Sequence, residues 1–354
     1  MQKSYDFDSY FRKFIRDSRT GRRLQPSGRK LTAGTIANYQ FTRSLILSFS
    51  DTKEFKLRIL SARKLTARQN ISEKRYWNRF YNRFSAYLHD EKGYSDNYVG
   101  VTIKNLKCFM NYLNRDLALG IGDFHKSFHV RKEEVPIYPL TPEQLQFLIS
   151  DGVFHSSLSK MMLEVRDFFI FGCTVALRFS DLSALRSGNV QYINGQAHLA
   201  VKSIKTGSAT LVRLPPYAVQ IIDRYKKGRR LLPKFNVTNL NKYIKLLLEK
   251  AGFTQPVEVV RSKRGRPFNG SGKGSVVRFS DLATTHTMRR TAITTMLSLG
   301  VPEQVVRKIS GHSPLSAANK FTVPSADIAF HNILPAWVYS FRRCPATPSF
   351  SSTI

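Results

Sequence analysis

The stretch THTMRRTAITTM (Thr285–Met296) is compatible with two folds. On a helix, His286 and Arg289 lie three residues apart and share a face, while Arg290 points about 100° away from Arg289. A histidine there can move a proton, and an arginine can neutralise a phosphorane-like transition state. Continued through LSLGVPEQVVRKISG (Leu297–Gly311), the same run has the length and central glycine of a helix-turn-helix. The first reading makes it one wall of an active site. The second makes it the reading head of a DNA-binding regulator.

Fragments upstream and downstream separate the two. In TVALRFSDLSALR (Thr174–Arg186), Arg178 sits among apolar residues with Asp181 three positions on. That spacing lets the carboxylate brace the guanidinium, and a braced guanidinium is a fixed fork of donors for a phosphate. In IKTG (Ile204–Gly207), Lys205 stands at a β-turn, where a lysine is either a solvated surface residue or a general acid reaching a leaving oxygen. Behind the helix PEQVVRKI, Gly311 is suited to a helix C-terminus, and His312 follows it within SGHSPLSAANKFTVPS (Ser310–Ser325). Nine residues after His312 stands Phe321. A helix-turn-helix would leave Arg178, Asp181 and Lys205 without work.

The chain as a whole favours a polyanionic partner. Its 354 residues suggest two domains. Lys and Arg outnumber Asp and Glu by 56 to 24, a net charge of +32 that no fold requires and that attracts nucleic acid first, an anionic membrane surface second. No apolar run approaches the ~20 residues of a membrane span, and MQKSYDFDSYF has no signal-peptide core. Cys108, Cys173 and Cys344 are odd in number and far apart, which argues against a disulfide framework and a zinc site; the first two read as small core residues, and a reducing cytosol fits. No metal cluster or nucleotide loop stands out. RSKRGRPFNGSGKGSVVR (Arg261–Arg278) is basic and Gly-rich but lacks P-loop spacing, and reads as a loop near nucleic acid.

Periodicity gives the architecture. Four amphipathic stretches fill roughly the first 120 residues. The cleanest places Val99, Ile103, Leu106, Met110, Leu113 and Leu117 on one stripe, and Thr32 is the N-cap of the second stretch. GIGDFHKSFHVRKEEVPIYPL (120–140) reads as an extended linker. TPEQL opens a new domain, with Thr141 as N-cap, Pro142 at the first helical position and Gln144 closing a capping box. A three-stranded antiparallel meander follows, turning at Asn194-Gly195 and near Thr206-Gly207. The expected fold is mainly α: a helical domain over 1–120, a linker over 121–140, a mostly helical domain with a small sheet over 141–340, and a tail over 341–354.

Taken in order, the fragments resemble the tyrosine recombinase (phage integrase) family. Its signature is an Arg early in the catalytic domain, a Lys on a β-hairpin, His-x-x-Arg, Gly-His and a Tyr. Here these fall on Arg178, Lys205, His286 with Arg289, and His312, with Asp181 at the acidic residue supporting the first Arg. The wording THTMRRT…GVP…GHS is most similar to integrases of mobile elements in Bacteroidetes-type bacteria. The resemblance implies a four-helix SAM-like core-binding domain and a catalytic domain of the DNA breaking-rejoining fold, with no extra arm-binding domain ahead of them. It also implies a C-shaped clamp on double-stranded DNA in the bacterial cytoplasm or nucleoid, four protomers on two duplexes, and exchange through a Holliday junction. The partners implied are recombination sites, a neighbouring protomer docked through the C-terminal helix, and accessory DNA-bending or directionality proteins; no cofactor or metal is called for.

In that family the two arginines and the Gly-His histidine hold the scissile phosphate. A Tyr attacks in line to leave a 3′-phosphotyrosine, the Lys protonates the 5′ oxygen, and the first histidine assists. The departure is the nucleophile: its position is Phe321. Phenylalanine keeps the ring and lacks the phenolic oxygen, so the expectation is binding and assembly without cleavage. An engineered substitution that traps an uncleaved complex is favoured over a naturally inactive, regulatory paralogue, because no phosphate-gripping residue is missing. Arg43, Lys104, Lys107, Lys263, Arg264 and Arg290 are further candidates for contact with DNA.

Overall fold

The computed structural model describes residues 4–63, 65–134, 136–204, 207, 209–226, 228–259, 261–268 and 277–311. His312, Phe321, the C-terminal helix and tail, Cys344, Lys205 and Thr206 lie outside the described residues. The chain divides into two compact units. Unit 1 is Met1–Val135 with Val259–Ser275, and unit 2 is Pro136–Glu258 with Val276–Ile354.

Unit 1 begins with a short strand β1 (Ser4–Tyr5), helices α1 (Phe7–Thr20) and α2 (Ala33–Thr52), strand β2 (Ile59–Leu60), and helices α3 (Ala67–Ala86) and α4 (Asp96–Arg115). The caps are those the sequence offers. Thr32 accepts from the Thr35 amide, and Thr66 with Gln69 forms a capping box. The stripe on α4 is buried from Val99 to Leu113, and Phe11, Phe14, Phe49, Trp77, Phe80, Phe84 and Phe109 fill the space between the helices. These rings meet mostly edge-on or tilted, as at Phe11–Phe14 and Phe49–Phe80, the geometry that the ring quadrupole prefers.

Two boundaries differ from the sequence expectation. The stretch read as an extended linker is folded into unit 1 through residue 134: Ile121 and Phe128 are buried in its core, and the Lys107 ammonium donates to the Lys126 and Phe128 carbonyls at 3.1 and 2.9 Å. Its apolar residues are too widely spaced to show a period, which is why the run looked unstructured. The second difference is that unit 1 takes back part of the later chain.

Unit 2 runs through α5 (Pro142–Ser150), α6 (Gly152–Ser156), α7 (Lys160–Val175), α8 (Phe179–Ser183), strands β3 (Val190–Ile193), β4 (Gln196–Lys202) and β5 (Ala209–Arg213), then α9 (Pro216–Tyr225), α10 (Val237–Lys250) and β6 (Pro256–Val257). Next come β7 (Arg261–Lys263) and β8 (Arg266–Phe268), the pair that belongs to unit 1. The chain then continues in unit 2 with β9 (Val277–Arg278), α11 (Phe279–Leu282), α12 (Thr285–Ser298) and α13 (Glu303–Ser310). The β3–β4–β5 sheet is the expected antiparallel meander, and Asn194 and Gly195 both take positive φ at its first turn.

The β7–β8 hairpin corrects the reading of Arg261–Arg278 as a loop throughout. Its turn residues, Arg264 and Gly265, both have positive φ, and their amides donate to the two oxygens of the buried Asp96 carboxylate at 2.9 and 2.7 Å. Glu133 accepts from the Ser262 amide, and Asp90 pairs with the Arg264 guanidinium. The acceptors lie more than 120 residues away in sequence, so no local pattern announces them.

The site-bearing framework is the crossing of α7 and α12. Gly172 makes it possible: a Cβ there would stand 2.5 Å from the Met288 sulfur and 3.2 Å from Leu182. Met288, Ala292 and Met296 bury that face of α12 against a core that includes Phe168, Phe169 and Phe171.

Candidate active site

Helix α7 ends in a left-handed residue that is not glycine. Ala176 has φ +56° and is fully buried. A left-handed alanine carries a conformational cost of order 1 kcal/mol. Here it turns the chain so that the Ala176 carbonyl accepts from Arg289 at 3.0 Å, and Arg178 follows two residues later as the N-cap of α8. The strain thus sits between the two arginines.

Arg289 is 3% exposed. Burial first, then the nearby Arg178 charge, lowers its pKa to about 10, while Asp181 acts the other way. Arg178 is partly exposed; its guanidinium donates to the Ser203 hydroxyl at 3.4 Å and to the Gly311 carbonyl at 3.3 Å. The second contact brings the end of α13 to the first arginine, at the residue before His312.

Asp181 does not pair directly with Arg178, as the spacing had suggested. Its buried carboxylate accepts from the Ser203 hydroxyl at 3.2 Å and from the Ile204 amide at 2.9 Å. Ser203 therefore stands between acid and arginine, donating to one and accepting from the other. On a five-residue helix that begins at Phe179, the carboxylate is turned toward the sheet rather than back along the chain. Ser203 and the Ala176 carbonyl are the two functional groups that sequence reasoning missed. A serine two positions before a turn lysine carries no distinguishing pattern, and a carbonyl carries none at all.

His286 lies in the first turn of α12, whose N-cap Thr284 accepts from the His286 amide at 3.2 Å. The residue keeps solvent exposure. Partial desolvation comes first in lowering its pKa to about 4, followed by the charges of Arg290, Arg289 and Arg178. His286 is thus neutral at pH 7 and able to accept a proton. Arg290 is partly buried, and desolvation lowers its pKa. Arg178, Asp181, His286 and Arg289 are brought together by the structure; the positions of Lys205, His312 and Phe321 lie outside the described residues.

The other candidates have varied surroundings. Arg43 pairs with Asp8 at 2.5 Å, and Lys107 is engaged by the two carbonyls named above. Arg264 pins the hairpin. Lys104 is exposed on α4, and Lys263 is partly exposed on β7. Cys173 is buried in the core, and burial pushes its thiol pKa up; Cys108 is only partly buried and receives the Arg23 guanidinium at 2.9 Å. Among the described residues no helix is long and apolar enough to cross a membrane, and no group of three or more His, Cys, Asp or Glu is placed to hold a metal.

Residues 154–326 match the model of the phage integrase family, which spans the described site and the positions of His312 and Phe321. No curated protein matches the chain. Among solved structures, the chain is similar to a lambda integrase dimer bound to a COC′ core site, with TM-score 0.59 and 12% identity over 92% of this chain and 80% of that one. It is similar to a lambda integrase tetramer bound to a Holliday junction, with TM-score 0.58 and 14% identity over 90% and 78%. It is also similar to the Tn1549 transposon integrase, a Tyr-to-Phe variant in complex with transposon right end DNA, with TM-score 0.54 and 15% identity over 87% and 91%. At these identities the likeness is one of fold: mainly helical, with small antiparallel sheets. Residues 154–326 thus carry a phage integrase (tyrosine recombinase) family domain, and the fold around it is like that of these integrases.

Proposed function

We propose that the chain is a site-specific DNA recombinase whose active site grips one phosphodiester, and that Phe321 holds it at the stage before cleavage. The observation that supports this most is the crowding of cations at one place. Arg178, Arg289, Arg290 and His286 lie close enough that the arginines depress the histidine, and Asp181 is the acid that acts on Arg289. Such a cluster is costly when empty and is relieved by an anion with several acceptor oxygens.

In this reading Arg178 and Arg289 bind the non-bridging oxygens, each pre-oriented by a carbonyl or hydroxyl. His286, neutral, accepts a hydrogen bond or proton at the attacking oxygen. Lys205 and His312 take the leaving-group and phosphate roles that the family resemblance gives them. A Tyr at 321 would attack in line and conserve the bond energy as a 3′-phosphotyrosine, so neither ATP nor a metal enters. Four protomers on two duplexes would complete exchange through a Holliday junction. Phe321 removes the nucleophilic oxygen and leaves the grip intact. The Tn1549 relative was solved as a Tyr-to-Phe variant on its DNA, in keeping with reading Phe321 as an engineered trap.

The helix-turn-helix reading is weakened by α12 itself. Arg289 is buried against the Ala176 carbonyl, and Met288 and Ala292 are core residues, so the interior face of α12 serves the site and its own domain.

The test restores the oxygen. Phe321→Tyr and the parent are each incubated with a nicked suicide duplex carrying the site that the parent selects from a random library. A covalent adduct with Phe321→Tyr alone is expected, together with its loss when Arg289→Ala is added. Sequence-specific binding with no adduct from Phe321→Tyr would refute the recombinase reading and favour a regulator.

A further inference from the structure

Helix α12 is pinned within its own unit at three places along about 9 Å of its length. The Ala176 carbonyl holds Arg289, and the Thr291 hydroxyl accepts from the Leu140 amide at 3.0 Å. The third pin is at the helix start. There the Asn241 side chain, partly buried on α10, accepts from the Thr285 amide at 2.8 Å. A backbone N–H can only donate, so it is the carboxamide oxygen that faces it. Thr284 serves the next two amides, with its hydroxyl at His286 and its carbonyl at Thr287, and its own amide donates to the Thr287 hydroxyl. These caps are all neutral oxygens, and the first turn of α12 holds no acid.

A helix N-terminus favours negative charge, and Asp caps it as well as Asn does. A carboxylate at position 241 would take the same amide and stabilise the helix further. It would also stand beside His286. The charges that act on that imidazole are Arg290 and Arg289 on its own helix and Arg178 at the start of α8, all cations. Acids on the elements around α12 are committed elsewhere. Asp167 of α7 pairs with Arg166 and Arg224, and Asp181 of α8 accepts from Ser203 and Ile204. Glu249 of α10 and Asp281 of α11 pair with Arg278, Lys245 of α10 also acts on Asp281, and Glu303 of α13 pairs with Arg307. Asn241 thus gives the helix start its hydrogen bond and adds no charge.

We propose that Asn241 is a positioning residue for His286: its carboxamide fixes the first turn of α12 and leaves the imidazole in its neutral, proton-accepting form. The inference rests on the recombinase reading above, in which His286 serves the attacking oxygen, and deepens it. Asn241 touches neither phosphate nor nucleophile in this reading and acts only through the helix start.

The test uses the full chain and two exchanges. Asn241→Asp keeps the shape and the acceptor and adds a charge; Asn241→Ala removes the acceptor. Asn241→Asp should melt at or above the parent's temperature, and its His286 imidazole, followed by NMR, should bind a proton about tenfold or more tightly than in the parent. Asn241→Ala should melt lower, with faster exchange of the Thr285 amide. Asn241→Asp is then combined with Phe321→Tyr and offered the nicked suicide duplex. The neutral imidazole is lost as pH falls, so the acid limb of the adduct rate should move to higher pH, by about tenfold or more in proton concentration. An asparagine that served stability alone would not move that limb. An imidazole that titrates in Asn241→Asp where it does in the parent overturns the proposal. So does an Asn241→Asp chain that melts below the parent, or a Thr285 amide equally protected in Asn241→Ala; these results leave the recombinase reading standing. Phe321→Tyr giving no adduct overturns that reading, and with it the part in catalysis given to Asn241, even where the imidazole moves as expected.

Discussion

Replacing Asp181 by Asn isolates the relay at the centre of the site. The exchange conserves shape, so no cavity forms. Asp181 is 2% exposed and accepts from two donors, the Ser203 hydroxyl and the Ile204 amide. An asparagine must turn its oxygen to the Ile204 N–H, which can only donate. Its NH2 group then faces Ser203. That hydroxyl, already receiving Arg178, is now offered a second donor and loses the acceptor for its own proton. One charge-assisted hydrogen bond is lost, about 1.5–3 kcal/mol. The acid that acts against the desolvation of Arg289 loses its charge in the same step. For a unit of roughly 200 residues, a loss of about 2 kcal/mol lowers Tm by about 4–8 °C. The assay is calorimetric melting in a buffer without multivalent anions, repeated with a short duplex. Asp181→Asn should melt lower alone and gain more from the duplex than the parent does, because the bound phosphate replaces the missing negative charge. Adding Ser203→Ala to Asp181→Asn should cost less than Ser203→Ala alone, since both break the same relay. An unchanged Tm, or fully additive effects, would show that acid and arginine are not linked through Ser203.

Three further outcomes are expected. His125 is buried, its Nε2 bonds the Asn111 side-chain oxygen at 2.8 Å, and among the described residues its Nδ1 has no partner; desolvation first, with Lys107, Lys126 and Arg115 acting the same way, lowers its pKa to about 4. A depressed histidine contributes stability that is complete above its unfolded pKa and lost as pH falls through the window from about 6.5 to about 4. Unit 1 should lose about 2 kcal/mol from this group between pH 7 and 5, and His125→Gln, which keeps the Nε2-like donor, should remove that part of the acid limb in denaturant titrations. Asp96→Ala should free the β7–β8 turn, seen as lost amide protection over 261–268 and as trypsin cleavage after Arg264, both absent in the parent. Bound phosphate should offset the guanidinium charges around His286, so the imidazole pKa followed by NMR should rise from about 4 when DNA binds; a fall or no change would place the phosphate elsewhere.

What the sequence made legible was local. The caps at Thr32 and Thr141, the stripe on α4 and the Asn194-Gly195 turn each depend on residues within a few positions of one another, and each is found where expected. His286 and Arg289 were legible because a helix converts a spacing of three into a shared face. The rest depends on partners far away in the chain. Arg264 gives no turn signal, since arginine seldom takes positive φ; it does so because Asp96, 168 residues earlier, accepts from its amide. The brace from Asp181 to Arg178 was legible as a pairing of types but not as a path, because Ser203 enters from the residue after β4, 22 positions on. Ala176 reads as a core alanine, and only the backbone shows that it is bent to serve Arg289.

Electrostatics acts at two ranges in this chain, and the two do different work. The net charge of +32 is spread over both units and is felt through solvent, so it gathers any duplex and is screened by salt. The site charges are few, partly desolvated and fixed by neutral partners: a carbonyl for Arg289, a hydroxyl and a carbonyl for Arg178. Salt reaches them less. Neither range distinguishes one base pair from another. A protein that used only these two would bind every duplex and poise every phosphate. Selectivity therefore has to come from groups that reach base edges in the grooves.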